Sequence, residues 1–196
     1  MTGMILIPIA LCLSFVFGSI PTGYWLGLAF CGKDIRKEGS GNIGATNTMR
    51  CLGKGYGALA LAFDVFKGWV AVVLFAHLYA WTYLPVACGL AAILGHTFSL
   101  FVRFRGGKGV ATSAGVFIGL APFPAAIAGA VFLGVVVVTR MVSAGSVAAA
   151  VTLAVTVFLF PLSAPVRAFT VLVALLILIR HQSNLRRIWR HEEPKL

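Results

Sequence analysis

The chain has 196 residues, of which 60% are hydrophobic and 11% charged; the mean hydropathy is +0.98 and the formal net charge is +11. A soluble domain carries about 25% charged residues, so this composition excludes an ordinary soluble protein. A soluble nucleic-acid-binding protein can be equally basic, but here the charges lie in short connections between long apolar runs, so no nucleic-acid partner is expected. The pattern predicts an all-α, polytopic integral membrane helix bundle, forming one domain over residues 1–196.

Met4–Phe30 is the first predicted span. No basic residue precedes it, so we expect a retained span and not a cleaved signal peptide. Ser19 and Pro21 predict a kink within it, at which Ser or Thr side chains satisfy the freed backbone groups.

A polar loop, Lys33–Asn47, begins the first basic connection, which extends to Lys54. Its glycines permit positive φ angles, and successive N–H groups in such turns form an anion-binding concavity. The spacing Gly39-x-Gly41-x-x-Gly44 matches a dinucleotide fingerprint, but a membrane span precedes it where that fingerprint needs a strand. We therefore expect a phosphate or carboxylate site, the alternative being a flexible connection. The side chains suited to an oxyanion are Ser40, Asn42, Thr46 and Asn47, with Lys33, Arg36, Lys37 and Arg50 nearby.

The second and third predicted spans are Tyr56–Ala80 and Leu84–Phe101, joined by an aromatic connection suited to a membrane interface. Asp64 and Lys67 lie three residues apart inside the second span. Because charges within a membrane are costly and usually paired, we predict an ion pair there.

The second basic connection, Arg103–Lys108, is followed by Gly109. It is not a Walker A loop, because Val102 stands where the first glycine belongs and Gly109 where Ser or Thr belongs. It still places three cations beside flexible backbone before a helix, whose N-terminus favours an anion. The alternative is a positive-inside anchor. His96 lies one turn before this loop, and a lone histidine there is usually structural.

Gly109–Thr139 contains no charge. As one helix it would extend about 45 Å, against about 30 Å of hydrocarbon. Pro122 and Pro124 would break it, so we predict two short crossings or a re-entrant pair. The last predicted spans are Ser143–Phe160 and Val166–Ile179.

The distribution of cations predicts the orientation in the membrane. Fourteen of the sixteen Lys and Arg residues fall in the connections 33–54, 103–108, 140 and 180–196, which alternation places on one side. The positive-inside rule then predicts seven spans, an outside N-terminus and a cytoplasmic C-terminus. A five-span arrangement with a re-entrant hairpin gives the same distribution.

The tail begins with His181, and helical spacing puts His181, Asn184 and Leu185 on one face. The alternative is an interfacial amphipathic tail that binds anionic lipid. No catalytic triad, metal set or cofactor motif is visible, so neither a metal nor a cofactor is expected. The four cysteines have no metal-ligand spacing and are expected to be unpaired.

Four motifs together resemble one family over the whole chain. In order they are Ser19-Ile-Pro-Thr-Gly23, the loop Lys33–Asn47, the run from Gly95-His-Thr-Phe98 to Phe104-Arg-Gly-Gly-Lys-Gly-Val-Ala-Thr112, and His181-x-x-Asn184-x-x-Arg187. They look like the bacterial acyl-phosphate:glycerol-3-phosphate acyltransferases, the PlsY family. One departure is Gln182, where that family often has Arg.

The resemblance implies a seven-helix enzyme of the bacterial inner membrane with its active site towards the cytoplasm. It would transfer a fatty acyl group from acyl phosphate to the sn-1 hydroxyl of glycerol 3-phosphate, giving lysophosphatidic acid and phosphate in the first step of phospholipid biosynthesis. Membrane lipid and a soluble enzyme that produces acyl phosphate would be further partners. The implied catalytic residues are Ser40, Lys108, His181 and Asn184. The implied substrate-binding residues are Gly39, Ser40, Gly41, Asn42, Thr46, Asn47, Arg50, His96, Gly107, Lys108, Gly109, His181 and Asn184.

This chemistry suits the residue types, because acyl phosphate is already activated and needs no covalent nucleophile. Positioning and charge stabilisation could supply most of the rate. Our hypothesis is that Lys108, Arg50 and the Ser40 loop bind and polarise, while His181 and Asn184 orient the acceptor. The base would be a substrate phosphate oxygen, with His181 as the alternative.

Two other classes of protein compete with this interpretation. A transporter for a phosphorylated or anionic solute would use the same basic loops, but transporters place polar groups near the bilayer midplane, whereas these motifs cluster at one face. A structural protein with lipid-binding loops leaves the Gly-Ser-Gly-Asn cluster unexplained.

Overall fold

A computed structural model describes residues 2–196, and in that range the chain contains α-helices and short 3-10 turns with no strand. The all-α prediction is therefore confirmed. The ten α-helices of these residues are α1 Leu6–Ser19, α2 Thr22–Cys31, α3 Ala45–Leu52, α4 Lys54–Val73, α5 Leu84–Thr97, α6 Val110–Leu120, α7 Pro122–Thr139, α8 Val142–Thr156, α9 Ala164–Arg180 and α10 Gln182–Trp189. They group into two compact units, Met1–Gly119 and Leu120–Leu196.

Four apolar stretches are long enough to cross a membrane: Lys54–Leu78, Leu84–Val102, Pro122–Thr139 and Val142–Leu159. Two bent pairs, α1 with α2 and α9 with α10, bring the number to six if each pair counts as one span. Helix α6 has 11 residues, so it extends only about 16 Å. Seven crossings, with the predicted sidedness, stay a prediction.

The predicted kink in the first span is confirmed as a complete break. Helices α1 and α2 meet at an angle of 46° around Ile20 and Pro21. Proline has no N–H to continue the helix, and backbone carbonyls freed at this point need other donors. The Ser99 hydroxyl donates to Ser19 O, and Lys67 Nζ donates to Ile20 O at 2.9 Å. A distant serine and a lysine thus stabilise the break.

Small residues bring the helices of the first unit into close contact. A Cβ at Gly18 would lie 2.3 Å from Ala92 O, and one at Gly95 would lie 2.2 Å from Phe15 O. Glycine at both positions lets α1 and α5 approach backbone to backbone, as is common between membrane helices. This contact fixes the end of α5, from which the second basic connection leaves.

The uncharged run 109–139 breaks where the prolines predict. Helix α6 ends at Leu120 and α7 starts at Pro122, with Ala121 as the single residue between them. Pro122 and Pro124 fall in the first turn of α7, where a missing N–H has little cost. One prediction is wrong: the first basic connection is not a loop throughout, because it contains helix α3.

Candidate active site

The loop Lys33–Asn47 contains two left-handed glycines. Gly39 has φ +57° and Gly41 has φ +69°, a conformation that costs little only for glycine. They flank Ser40, which is exposed and whose backbone N–H donates to Asn47 Oδ1 at 2.8 Å. A Cβ at Gly39 would lie 2.4 Å from the same oxygen. The loop therefore wraps around the Asn47 side chain and presents Ser40 outward.

Asn47 is 2% exposed and its amide is fully engaged within the loop. Besides accepting from Ser40, its Nδ2 donates to Ile35 O at 2.9 Å and to Glu38 O at 3.2 Å. Both amide hydrogens are thereby used. Asn47 therefore shapes the loop through hydrogen bonds with its backbone.

Two cations of this loop are paired with its own acids. Arg36 donates to both carboxylate oxygens of Asp34, at 2.9 and 2.7 Å, and its guanidinium lies 4.3 Å from the centre of the Tyr24 ring. These hydrogen bonds lower the pKa of Asp34 to about 2. Lys33 lies 3.8 Å from Glu38. The sequence places Lys33 and Arg36 near the expected anion site, and in the structure each pairs with a neighbouring carboxylate.

Helix α3 positions the remaining polar residues of the first loop. Asn42 Oδ1 accepts from Gly44 N at 2.8 Å, and Gly44 is the N-cap of α3. Thr46 lies half-buried in its first turn and Arg50 is exposed in its last turn. Asn42 thus has a local structural role in addition to its proposed contact with substrate.

The second basic connection is hydrogen-bonded to the end of α5. Gly106 N donates to Thr97 O at 3.1 Å, and Gly107 N donates to His96 O at 3.0 Å. A Cβ at Gly106 would lie 2.0 Å from His96 O, so only glycine fits. Arg103 and Phe104 have left-handed φ angles of 55° and 60°. The segment 103–109, which we call the lysine loop, is therefore tightly folded against α5.

His96 packs against the lysine loop. It is 4% exposed, and its Nε2 would lie 2.2 Å from a Cβ at Gly107. Lys108 follows, half-buried, and Gly109 has φ +83° just before α6 begins at Val110. The burial of the His96 ring against Gly107 indicates that it supports the loop, and contact of either residue with substrate stays a prediction.

In the second unit, His181 and Asn184 lie at the bend between α9 and α10, which meet at 56°. They are 3% and 6% exposed. His181 Nδ1 is 2.8 Å from Ile177 O. Leu185, which helical spacing placed on the same face, is 39% exposed, so only the two polar residues share the buried side.

Glu193 was missed by sequence reasoning. The chain after α10 turns back, and the Glu193 side chain accepts from Asn184 Nδ2 at 2.6 Å and from Arg187 Nε at 2.8 Å. Burial alone would raise its pKa, but the hydrogen bonds that it receives lower the pKa below its ordinary value. Glu193 therefore orients Asn184 as an ionised acceptor. No spacing rule connects it with Asn184, nine residues earlier.

The chain is similar over most of its length to proteins of one family. A family model described as glycerol-3-phosphate acyltransferase matches residues 8–191. A glycerol-3-phosphate acyltransferase of Macrococcus caseolyticus is 42% identical over 190 residues, covering 97% of each chain. One of Trichlorobacter lovleyi is 44% identical over 182 residues, covering 93% of each.

Solved structures agree with the sequence relatives. The crystal structure of PlsY (YgiH), an integral membrane glycerol 3-phosphate acyltransferase, in its glycerol 3-phosphate form, matches with a TM-score of 0.89 at 32% identity; the alignment covers all of this chain and 96% of that one. Its lysophosphatidic acid form matches with a TM-score of 0.86 at 30% identity and the same coverage.

Fold and sequence thus define a multi-pass integral membrane acyltransferase of phospholipid synthesis. The chain belongs to the glycerol-3-phosphate acyltransferase family.

Proposed function

We propose that this protein transfers a fatty acyl group from acyl phosphate to the sn-1 hydroxyl of glycerol 3-phosphate. The observation that carries the proposal is the match, over the whole chain, to a PlsY structure in its glycerol 3-phosphate form. The pattern of exposed and buried polar groups supports it. Each loop has a backbone held by hydrogen bonds to buried residues and carries Ser40 or Lys108 at a position that is not fully buried.

The proposed roles follow from the chemistry of the two phosphates. Lys108, Arg50 and the loop that presents Ser40 bind phosphate oxygens, because cations and hydroxyl donors stabilise anionic oxygen. His181 and Asn184 orient the acceptor. The wider substrate-binding set comprises Gly39, Gly41, Asn42, Thr46, Asn47, His96, Gly107 and Gly109.

The reaction needs no covalent enzyme intermediate. The sn-1 oxygen attacks the acyl carbonyl carbon, the bond from that carbon to the phosphate oxygen breaks, and phosphate leaves with the electron pair. The hydroxyl proton passes to a phosphate oxygen of a substrate. The protein contributes orientation and stabilises the developing negative charge through Lys108.

The proposed cellular setting follows from the charge distribution. The cation-rich connections face the cytoplasm of a bacterial inner membrane. Glycerol 3-phosphate reaches the site from water, while the acyl chain of the donor stays in the lipid. A soluble enzyme that makes acyl phosphate would deliver the donor.

Purified protein tests the proposal with acyl phosphate and glycerol 3-phosphate, with lysophosphatidic acid and released phosphate measured together. We expect the two products in equal amounts and acylation at sn-1. Acyl-CoA and acyl-carrier-protein thioesters serve as alternative donors and are expected to give no product. A transporter would form no lysophosphatidic acid but would move glycerol 3-phosphate into sealed vesicles, which would refute the proposal.

A further inference from the structure

The buried pair Asp64–Lys67 in α4 does more than neutralise two charges in a membrane helix. Lys67 Nζ lies 2.7 Å from Asp64 Oδ1, and the two side chains are 0% and 2% exposed. Lys67 is among the largest fully buried side chains of the described residues. Taking two charges out of water costs several kcal/mol for each ion, so apolar residues at these positions would suit a simple membrane span better.

The pair connects three other segments of the first unit. Lys67 Nζ donates to Ile20 O at the break between α1 and α2, at 2.9 Å. Asp64 Oδ1 accepts from the Thr22 hydroxyl at 3.2 Å, across the same break. The same oxygen lies 3.7 Å from His96 Nδ1 at the end of α5. One carboxylate oxygen therefore faces groups from α2, α4 and α5.

Two residues that flank the lysine loop, His96 before it and Thr112 after it, lie against this segment of α4. The His96 carbonyl holds the loop by accepting from Gly107 N at 3.0 Å. At the exit, α6 packs on α4 so closely that a Cβ at Gly68 would lie 2.0 Å from Thr112 O. Gly68 directly follows Lys67. The charged pair thus lies between the two anchors of the loop that presents Lys108.

We infer that Asp64 and Lys67 are positioning residues for acyl transfer: they hold the α1–α2 break, His96 and the start of α6 in the one arrangement that places Lys108 for phosphate binding. The inference rests on the proposed function for its kinetic consequence, and on the loop geometry alone for its structural one. Neither residue touches substrate in this account. Both act through the lysine loop.

The test replaces the pair by apolar side chains of similar size, Asp64→Leu with Lys67→Met, in the full-length protein. Removing both charges leaves no uncompensated buried ion, and such replacements are often neutral for stability. Ser14→Ala is the control. Ser14 is equally buried in the first unit, but its hydroxyl donates to Ala10 O within its own helix.

The first measurement is hydrogen exchange of the Gly106 and Gly107 amides. We expect exchange in the double variant to be at least tenfold faster than in wild type, and unchanged in the control. An unchanged rate in the double variant would overturn the inference whether or not the protein is an acyltransferase.

The second measurement is steady-state kinetics with acyl phosphate and glycerol 3-phosphate. We expect the KM for at least one of the two phosphorylated substrates to rise at least tenfold, because Lys108 is proposed to bind phosphate oxygens. Partial misfolding would lower the apparent kcat and leave both KM values unchanged, which would overturn the inference. Wild-type protein with no activity in the same assay, but with faster exchange in the double variant, would refute the proposed function and leave the positioning role intact.

Discussion

The backbone N–H of Ser40 donates to the buried Oδ1 of Asn47 at 2.8 Å, so a side chain seven residues later holds the exposed serine in place. The Nδ2 group of the same amide donates to the backbone carbonyls of Ile35 and Glu38. This relationship explains how a loop with two left-handed glycines can present one fixed conformation to a ligand.

Asn47→Asp tests that relationship. The variant keeps an acceptor for Ser40 but replaces the two Nδ2 donors by a buried carboxylate oxygen that repels the carbonyls of Ile35 and Glu38. Each lost hydrogen bond contributes about 1 kcal/mol, and a buried unpaired charge costs more. We expect kcat/KM to fall at least tenfold, with a lower melting temperature. Lys37→Ala, which changes an exposed side chain of the same loop, is expected to retain activity within about threefold; equal losses in both variants would contradict the account.

Gly106→Ala tests the seating of the lysine loop on α5. The new Cβ would meet the His96 carbonyl oxygen at 2.0 Å and that of Thr97 at 2.7 Å, and backbone cannot rotate away as a side chain can. Overpacking of this kind costs about 1–3 kcal/mol. We expect turnover to drop at least a hundredfold. The matched control is Gly55→Ala in α4, where a Cβ would meet nothing within 4 Å and where alanine favours the helix.

Glu193→Gln tests whether an ionised carboxylate orients Asn184. At pH 7 the variant loses charge-assisted hydrogen bonds worth about 1.5–3 kcal/mol each, so we expect a lower melting temperature and lower activity. The folded-state pKa of Glu193 is below its ordinary value. Its contribution is therefore complete above the unfolded pKa of about 4.3 and is lost as the pH falls through the folded value.

The difference in melting temperature between wild type and Glu193→Gln should shrink steadily below about pH 4. Glu192→Gln, at the exposed neighbouring residue, is the control and should show no difference at any pH. A gap that stays constant down to pH 2 would contradict the assignment of an ionised Glu193.

The orientation in the membrane is tested by single cysteines in a variant that lacks Cys12, Cys31, Cys51 and Cys88. The positive-inside rule places Lys54 in the cytoplasm and Trp81 outside. A membrane-impermeant thiol reagent should therefore label Trp81→Cys in right-side-out vesicles and Lys54→Cys in inverted ones. The opposite pattern would reverse the topology, and labelling of both from one side would refute an odd number of crossings between them.

Local features of the fold could be predicted because their causes are local. Pro21 and Pro122 break the helical runs in which they stand, because proline has no N–H with which to continue a helix. Asp64 and Lys67 are close enough along one helix to pair. The Asn184–Glu193 contact could not be predicted, because it requires the tail to turn back after α10. Helix α3 was missed because its eight residues include four polar ones and follow a polar loop. Asn42, Gly44 and the contact with α2 stabilise this helix, and a Cβ at Gly23 of α2 would lie 2.0 Å from Thr48 Oγ1.

In the candidate site, too, local features could be predicted from the sequence and contacts that depend on the folded loop could not. Glycine spacing predicted the anion-binding loops. The number of cations near the first loop overstates the positive charge that a ligand would meet, because Arg36 pairs with Asp34 and Lys33 pairs with Glu38. Which cations face a ligand depends on pairing within the folded loop. Arg50 and Lys108 stay the proposed phosphate-binding cations.

The most direct test of the central claim compares Lys108→Ala with Lys54→Ala in purified protein supplied with acyl phosphate and glycerol 3-phosphate. Lys54 is an exposed cation of the other basic connection, so its removal controls for net charge. We predict that Lys108→Ala abolishes formation of lysophosphatidic acid while Lys54→Ala keeps at least half of the wild-type rate. Undiminished turnover by Lys108→Ala would contradict the claim that the lysine loop binds and polarises the reacting phosphate.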